Sequence, residues 1–276
     1  MKNDYSRIEE AIQYLKGRSL SGLFAGDVSS HLGMSETQFN LMIQRWAGVT
    51  FQGFFHYLTI KFAREQLKEG RNSLKNSPGK GKSRGEIDSS LALTMEERRS
   101  GKIRGRGLKV SYGFHESPFG NYLLGIAMEG VCYLSFSENH GRERAVAALG
   151  KYWEGAELRE DAGLTKEVGN RIFMALNGKN ATPLNVYLQG TNFQLKVWEK
   201  LLRIPFGGIC SYEDLALAVG SGRGARAVGN ALGKNPVPYL VPCHRVIRKS
   251  GEFGNYGGGR ARKMAMIGWE AAKREL

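Results

Sequence analysis

Cys243 and His244 stand side by side in Val237-Pro238-Tyr239-Leu240-Val241-Pro242-Cys243-His244-Arg245-Val246. Pro242 fixes its own φ, biases Val241 towards an extended shape and removes a backbone donor just before the sulfur. A turn of this kind presents a thiol in one orientation at the end of an apolar run. If a neighbouring base or positive field lowers its pKa, the thiol becomes a nucleophile. Buried in apolar surroundings, it is an inert core residue, which is the commoner fate of cysteine. These ten residues leave both readings open.

Cys132, Cys210 and Cys243 make no CxxC pair and no Cys/His cluster. Their spacing speaks against a disulfide framework and against a zinc site. Cys132 and Cys210, each in a short apolar run, read as core residues. No stretch approaches 18 uncharged apolar residues and Met1–Glu10 is polar, so no membrane span or signal peptide is expected and the chain reads as cytoplasmic.

The net charge of +14 over 276 residues is unevenly placed. Residues 1–70 carry +1, residues 71–107 +6, residues 108–195 −1 and residues 196–276 +8. Two basic blocks, one of them holding Cys243, point to a polyanion, because lysine and arginine that neutralise phosphates release counterions. Nucleic acid is the expected partner.

The elements that position these residues divide the chain into four. Ile8, Ala11, Ile12 and Leu15 give a first helix helical periodicity over residues 5–17. Asp27 is placed to cap a short helix through Leu32, Gly33 to turn the chain, and Ser35 with Gln38 to form a capping box opening a helix from Glu36 to Trp46. This helix-turn-helix turns Phe39, Ile43 and Trp46 inward and Glu36, Thr37, Asn40, Gln44 and Arg45 outward. A further helix is expected from His56 to Lys68. Residues 71–107 read as a basic flexible linker with a short helix near Leu91–Arg99. Residues 108–190 read as a small α/β scaffold, with strands at Leu108–Phe114, Tyr122–Met128, Val131–Ser137 and Asn185–Leu188, a hairpin turn at Glu129-Gly130, and helices near Ala145–Tyr152 and Val168–Leu176. Residues 191–276 read as mainly helical. Thr191 and Gln194 cap one helix, and Ser211 opens a second helix-turn-helix whose small-residue helix, Ala225–Gly233, can approach a duplex closely. The expected fold class is α+β.

Helix, turn, helix, Arg45-Trp46-Ala47-Gly48-Val49 and an aromatic pair make residues 5–70 resemble the first helix-turn-helix of AraC-type regulators. Only one of the two units of such a module is present. Residues 108–276 resemble the O6-alkylguanine-DNA alkyltransferases through six ordered elements. These are Gly-Thr-x-Phe-Gln-x-x-Val-Trp (190–198), Ser-Tyr-x-x-Leu-Ala (211–216), Ala-Arg-Ala-Val-Gly (225–229), Asn-Pro-Val-Pro (235–238), Pro-Cys-His-Arg-Val (242–246) and Gly-Asn-Tyr-Gly-Gly (254–258).

That resemblance implies a role for each matching residue. Cys243 accepts the alkyl group, His244 takes the thiol proton through a water, and Glu270 orients His244. Tyr212 protonates the leaving guanine. Arg226 fills the gap left by the flipped base, with Arg223, Ala225 and Gly229 beside it at the DNA. Asn235 bridges the DNA-binding helix to the cysteine turn. Val246, Tyr256 and Gly257 line the base pocket; Gly257 stands where many relatives carry serine, so a hydroxyl is lost although its N–H can still donate.

The implied chemistry is one irreversible transfer per molecule, without cofactor or metal, on double-stranded DNA containing O6-alkylguanine, by a monomer. The alternatives are an alkylation-responsive AraC-type regulator acting on promoter DNA, a non-catalytic lesion binder and a turnover cysteine hydrolase. No cysteine precedes Cys132, so no cysteine-rich zinc module is expected. Relatives that bind lesions without catalysis replace the cysteine, and Cys243 is present.

Overall fold

The computed structural model describes residues 4–15, 24–75, 91–97, 104–136, 141–174, 183–221 and 224–274. Five helices come first: α1 (Asp4–Tyr14), α2 (Ala25–His31), α3 (Glu36–Ala47), α4 (Phe51–His56) and α5 (Ile60–Lys75). The capping box of α3 forms as expected. Ser35 Oγ accepts from the Gln38 N–H at 3.2 Å and Gln38 Oε1 from the Ser35 N–H at 3.1 Å. Gly48 closes the helix at φ +82°, a left-handed conformation that costs glycine little. Asp27 behaves differently from its expected capping role. It lies inside α2, and its carboxylate reaches back to the Phe24 N–H at 3.0 Å. The helix expected from His56 starts four residues later, at Ile60: α4 ends at His56, and the Thr59 hydroxyl accepts from the Phe62 N–H at 3.1 Å and opens α5.

A six-stranded sheet follows in the order β1-β6-β4-β3-β2-β5. Its strands are β1 (Leu91–Glu97), β2 (Lys109–Ser117), β3 (Gly120–Ala127), β4 (Gly130–Phe136), β5 (Glu157–Glu160) and β6 (Leu184–Gly190), with α6 (Arg142–Tyr152) and α7 (Ala162–Met174) between them. β1 overturns the linker expectation for its segment. Instead of a short helix, Leu91–Glu97 pairs in parallel with β6, Leu91 against Leu184 through Glu97 against Gly190. Leu91 and Leu93 are its half-buried positions, a period of two that the surrounding basic residues obscured. The linker is shorter at its start too, since α5 runs to Lys75. Of the other expected linker positions, 76–90 and 98–103 lie outside the described residues, and 104–107 form a turn in which Arg104 lies 4.1 Å over the Tyr152 ring. The β3–β4 hairpin turns at Met128-Glu129, one residue earlier than expected, with Ala127 opposite Gly130.

The C-terminal part holds α8 (Asn192–Leu201), β7 (Cys210–Ser211), α9 (Tyr212–Ala218), α10 (Gly224–Leu232), a 3-10 turn at Cys243–Arg245, β8 (Val246–Ile247) and α11 (Arg260–Arg274). The α8 capping box is formed by Thr191 and Gln194, and Ser211 Oγ caps α9 at the Asp214 N–H, 3.0 Å. The architecture is thus mixed α and β.

One apolar core runs from Tyr5 and Ile8 in α1 through Phe39, Phe54 and Leu124 to Trp198, Val241 and Ala272. A second lies on the other face of the sheet, under Leu149 and Trp153. The N-terminal helices close on α11 with few gaps. The Trp269 indole N–H donates to the Trp46 carbonyl at 2.9 Å, and the Trp46 indole N–H to the Pro118 carbonyl at 2.7 Å. A Cβ on Gly268 would lie 2.7 Å from the Phe54 ring. No described helix is long and apolar enough to cross a membrane.

Candidate active site

The proline-bounded segment is anchored at three points. The Leu134 N–H of β4 donates to the Pro236 carbonyl at 2.8 Å, tying the segment to the sheet. Asn235 Oδ1 accepts from the Val237 N–H at 3.0 Å, while its Nδ2 donates to the Val241 carbonyl at 2.7 Å and to Cys243 Sγ at 3.3 Å. Tyr239 adopts φ +80°, a left-handed value rare for a bulky residue, and its ring stacks on the His244 imidazole with centroids 5.6 Å apart. Two short strands then fix the neighbours: Cys210 pairs with Val246 and Ser211 with Ile247. This ladder sets Tyr212, the first residue of α9, beside the turn that carries Cys243.

Cys243 is buried, with 7% of its surface exposed, at the wall of a groove of about 1400 Å³. Tyr212, Ala225, Arg226, Gly229, Asn235, Tyr256 and Gly257 line the same groove. Arg226 is exposed on α10, and a Cβ on Gly229 would meet the Tyr212 ring at an ordinary 3.8 Å. A Cβ on Gly257 would meet nothing within 4 Å, so the space a serine side chain would need is open. Val246 is fully buried in β8 and is not on the groove wall. Arg223 lies outside the described residues.

Behind Cys243 is a cluster of buried charge. The His244 Nε2 atom is 2.8 Å from Glu270 Oε1. Arg245 grips the same carboxylate twice, Nε to Oε2 at 2.8 Å and an outer nitrogen to Oε1 at 3.0 Å, and donates to the Ile204 carbonyl at 2.7 Å. The Gly207 N–H completes the set at 3.2 Å. Burial alone would raise the Glu270 carboxyl, but the charges of Arg245 and His244 and their hydrogen bonds hold it below the usual carboxylate range. Burial lowers the His244 pKa against the pull of Glu270. Arg245 already neutralises the carboxylate, so His244 rests uncharged with Nε2–H donated to Glu270. Its Nδ1 has no hydrogen-bond partner among the described residues and can accept a proton.

Burial raises the Cys243 pKa more than Asn235, Lys263 and Tyr256 lower it. The resting group is therefore a thiol, and a nucleophile forms only as the proton is taken away. Burial, then the nearby Cys243, raises the Tyr212 phenol as well, so it is a protonated donor near neutrality.

Sequence reasoning did not single out Lys263 or Arg245. Lys263 is fully buried, donates Nζ to the Val246 carbonyl at 2.6 Å, and lies 5.6 Å from the Tyr212 ring centroid. Burial brings its pKa down to about 8. Both residues looked like ordinary members of a basic block. The available signal was position, Arg245 beside the Cys-His pair and Lys263 on the side of its helix that Glu270 shares two turns later.

Residues 192–272 match the family described as 6-O-methylguanine DNA methyltransferase, DNA binding domain. The inducible methylated-DNA–protein-cysteine methyltransferase of Bacillus subtilis (strain 168) is 35% identical over 151 residues, 54% of this chain and 84% of that one. The regulatory protein ada of Salmonella typhimurium is 30% identical over 191 residues, 68% of this chain, and the match spans about half of that protein, 52%. The bifunctional transcriptional activator/DNA repair enzyme Ada of Escherichia coli (strain K12) is 26% identical over 255 residues, 90% of this chain and 70% of that protein. With the cysteine turn, its asparagine bridge and the His-Glu pair in place, and with the Bacillus subtilis relative 35% identical and covered over 84% of its length, the chain belongs to the methylated-DNA–protein-cysteine methyltransferase family.

Proposed function

We propose that this protein repairs duplex DNA by moving the alkyl group of O6-alkylguanine onto its own Cys243. The observation that carries this reading is the buried Glu270–His244 pair, with His244 in the same turn as Cys243, whose thiol faces a groove. In the reaction, Cys243 Sγ attacks the alkyl carbon in line with the departing oxygen. The S–C bond forms as the C–O bond breaks, and the thiol proton passes through a bridging water to His244 Nδ1. The Glu270 carboxylate, itself fixed by Arg245, holds the imidazolium as it appears. The guanine O6 takes a proton from Tyr212, so charge does not build up on the leaving base.

The target atom is inside the base stack, so the nucleotide must turn out at a cost of about a few kcal/mol. Arg226, on the low surface of Ala225 and Gly229, fills the space it leaves. Tyr256 and the Gly257 N–H hold the extruded base, and Val246 supports that pocket from behind. Arg223 adds a phosphate contact. The thioether has no route back to a thiol, so each monomer reacts once.

Incubation with a methylated-guanine duplex followed by peptide mass mapping tests this. One methyl on Cys243 per protein, absent from Cys243→Ser, is the expected outcome. Several turnovers, or methyl on another residue, would overturn it. The rate of transfer should hold level down to pH values below the ordinary histidine range, because the base works while His244 is neutral and burial lowers its pKa.

The match to Ada over 90% of this chain includes the N-terminal helices and supports a second reading, in which the AraC-type unit directs the protein to promoter DNA. A sequence-defined footprint would favour it, and uniform weak protection would exclude it.

A further inference from the structure

The two outward surfaces of the N-terminal unit differ in charge. On α3, the second helix of its helix-turn-helix, Glu36, Thr37, Gln38, Leu41, Gln44 and Arg45 are exposed. The one cation among them, Arg45, is held by Asp4 at 2.6 Å, and Leu41 is 59% exposed. This face offers little to a phosphate backbone.

Helix α5 is different. Lys61, Arg64 and Lys68 are exposed at i, i+3 and i+7, which sets them along one side of the helix. Among the described residues Lys61 and Lys68 have no carboxylate partner, while Glu69, the acid nearest the end of this stripe, is within 3.8 Å of Arg274. Glu65 flanks the stripe, leaving it net positive.

The stripe also has a definite place relative to the groove. Arg64 Nε donates to the Ser250 carbonyl at 3.0 Å, and a Cβ on Gly251 would lie 3.0 Å from Ile60 and 3.1 Å from Arg64. Lys249 and Ser250 are groove-wall residues. Arg64 therefore joins α5 to the groove lip, where Lys249 and Arg226 are wall residues, and Lys61 and Lys68 share the side of α5 that carries Arg64.

We infer that the N-terminal unit binds duplex DNA through α5, as a sequence-independent clamp on the phosphate backbone continuous with the groove, and not through the helix α3 that its motif would assign to base reading. This rests on the proposed seating of the duplex at the groove. A duplex long enough to present a base to Cys243 runs past the lip, where two lysines meet its backbone. Each neutralised phosphate contributes about 0.9 to the slope of log affinity against log salt.

The test measures binding of the full chain to an undamaged duplex by fluorescence anisotropy between 50 and 200 mM salt. The Lys61→Gln/Lys68→Gln pair should flatten the slope by about 1.8, a change of roughly tenfold in the affinity ratio across that range. Each single substitution should give about half that slope change, and Thr37→Ala/Gln44→Ala should give none. An unchanged slope in the lysine variants, or an equal change from the α3 variant, would overturn the inference.

Methyl transfer to Cys243 from the free base O6-methylguanine is read in parallel and should be the same in all four variants. If no protein accepts that methyl or one from duplex DNA, while the lysine variants still flatten the slope, the repair reading fails and the clamp stands. If transfer proceeds and the slope does not move, the clamp fails alone.

Discussion

Helices α2–α4 and α9–α11 rest on interiors that are built on opposite terms. Beneath α2–α4 the buried side chains include Val28, Phe39, Met42, Ile43, Phe51 and Phe54, and the one buried polar group, the Ser29 hydroxyl, donates to the Gly26 carbonyl at 3.1 Å. Around α9–α11 the buried set includes His244, Arg245, Arg262, Lys263 and Glu270. An apolar interior stabilises by removing surface from water. Buried charges are costly unless paired and hydrogen-bonded, and such pairs are weak stabilisers. The second interior makes sense as the support of a reaction: an ion pair that leaves a histidine neutral, and a lysine field beside a thiol. Their second helices differ likewise, α3 presenting long polar side chains and Leu41, and α10 a low surface of Ala225 and Gly229 around Arg226.

The largest effect expected from breaking this contrast is at Glu270. Glu270→Ala leaves Arg245 buried without its partner, so stability should fall by about 3–5 kcal/mol in urea unfolding, and transfer should slow as His244 loses its orientation. A loss below 1 kcal/mol would mean that water reaches the cluster.

Lys263 comes next, through pH. Its folded pKa of about 8 lies below the ordinary lysine value, so between about pH 8 and 10.5 the unfolded chain holds more protons than the folded one. The stability of the parent protein relative to Lys263→Met should therefore rise with pH across that window, by up to about 3 kcal/mol, and stay level below it. A falling or flat difference would show that the ammonium is well solvated.

Gly268→Ala probes the seam between the two interiors. Its Cβ would collide with the Phe54 ring, and overpacking of this kind costs about 1–3 kcal/mol. Because one core spans the seam, a single unfolding transition should move as a whole; two separable transitions would divide the core in two. The smallest effect should come from Arg45→Ala on the surface of α3. Its exposed pair with Asp4 is worth about 0–1 kcal/mol, and a larger loss in the unfolding midpoint would give that pair a structural role.

Much of this could be read from residue order because it is local. Ser35 with Gln38, and Thr191 with Gln194, are hydrogen bonds between residues three apart, so they state where α3 and α8 begin whatever surrounds them. The strands β2, β3 and β4 were legible through their period, and the ordered motifs around Cys243 pointed to the residues that share its groove. The start of α5 after Thr59 and the role of Asp27 were misread because one capping group was weighed without its competitors. β1 escaped because its partner, β6, lies more than ninety residues away and five of its seven residues are exposed.

By itself, then, the order of residues determined the helix starts, the cysteine turn and the family to which it points, since these depend on neighbours along the chain. Folding decided what that turn can do. Whether Cys243 rests as a thiol depends on burial against Asn235, Lys263 and Tyr256, and whether His244 is neutral depends on burial outweighing the pull of Glu270, a carboxylate that Arg245 also grips. Desolvation and charge pairing act through space, between groups that no local pattern relates.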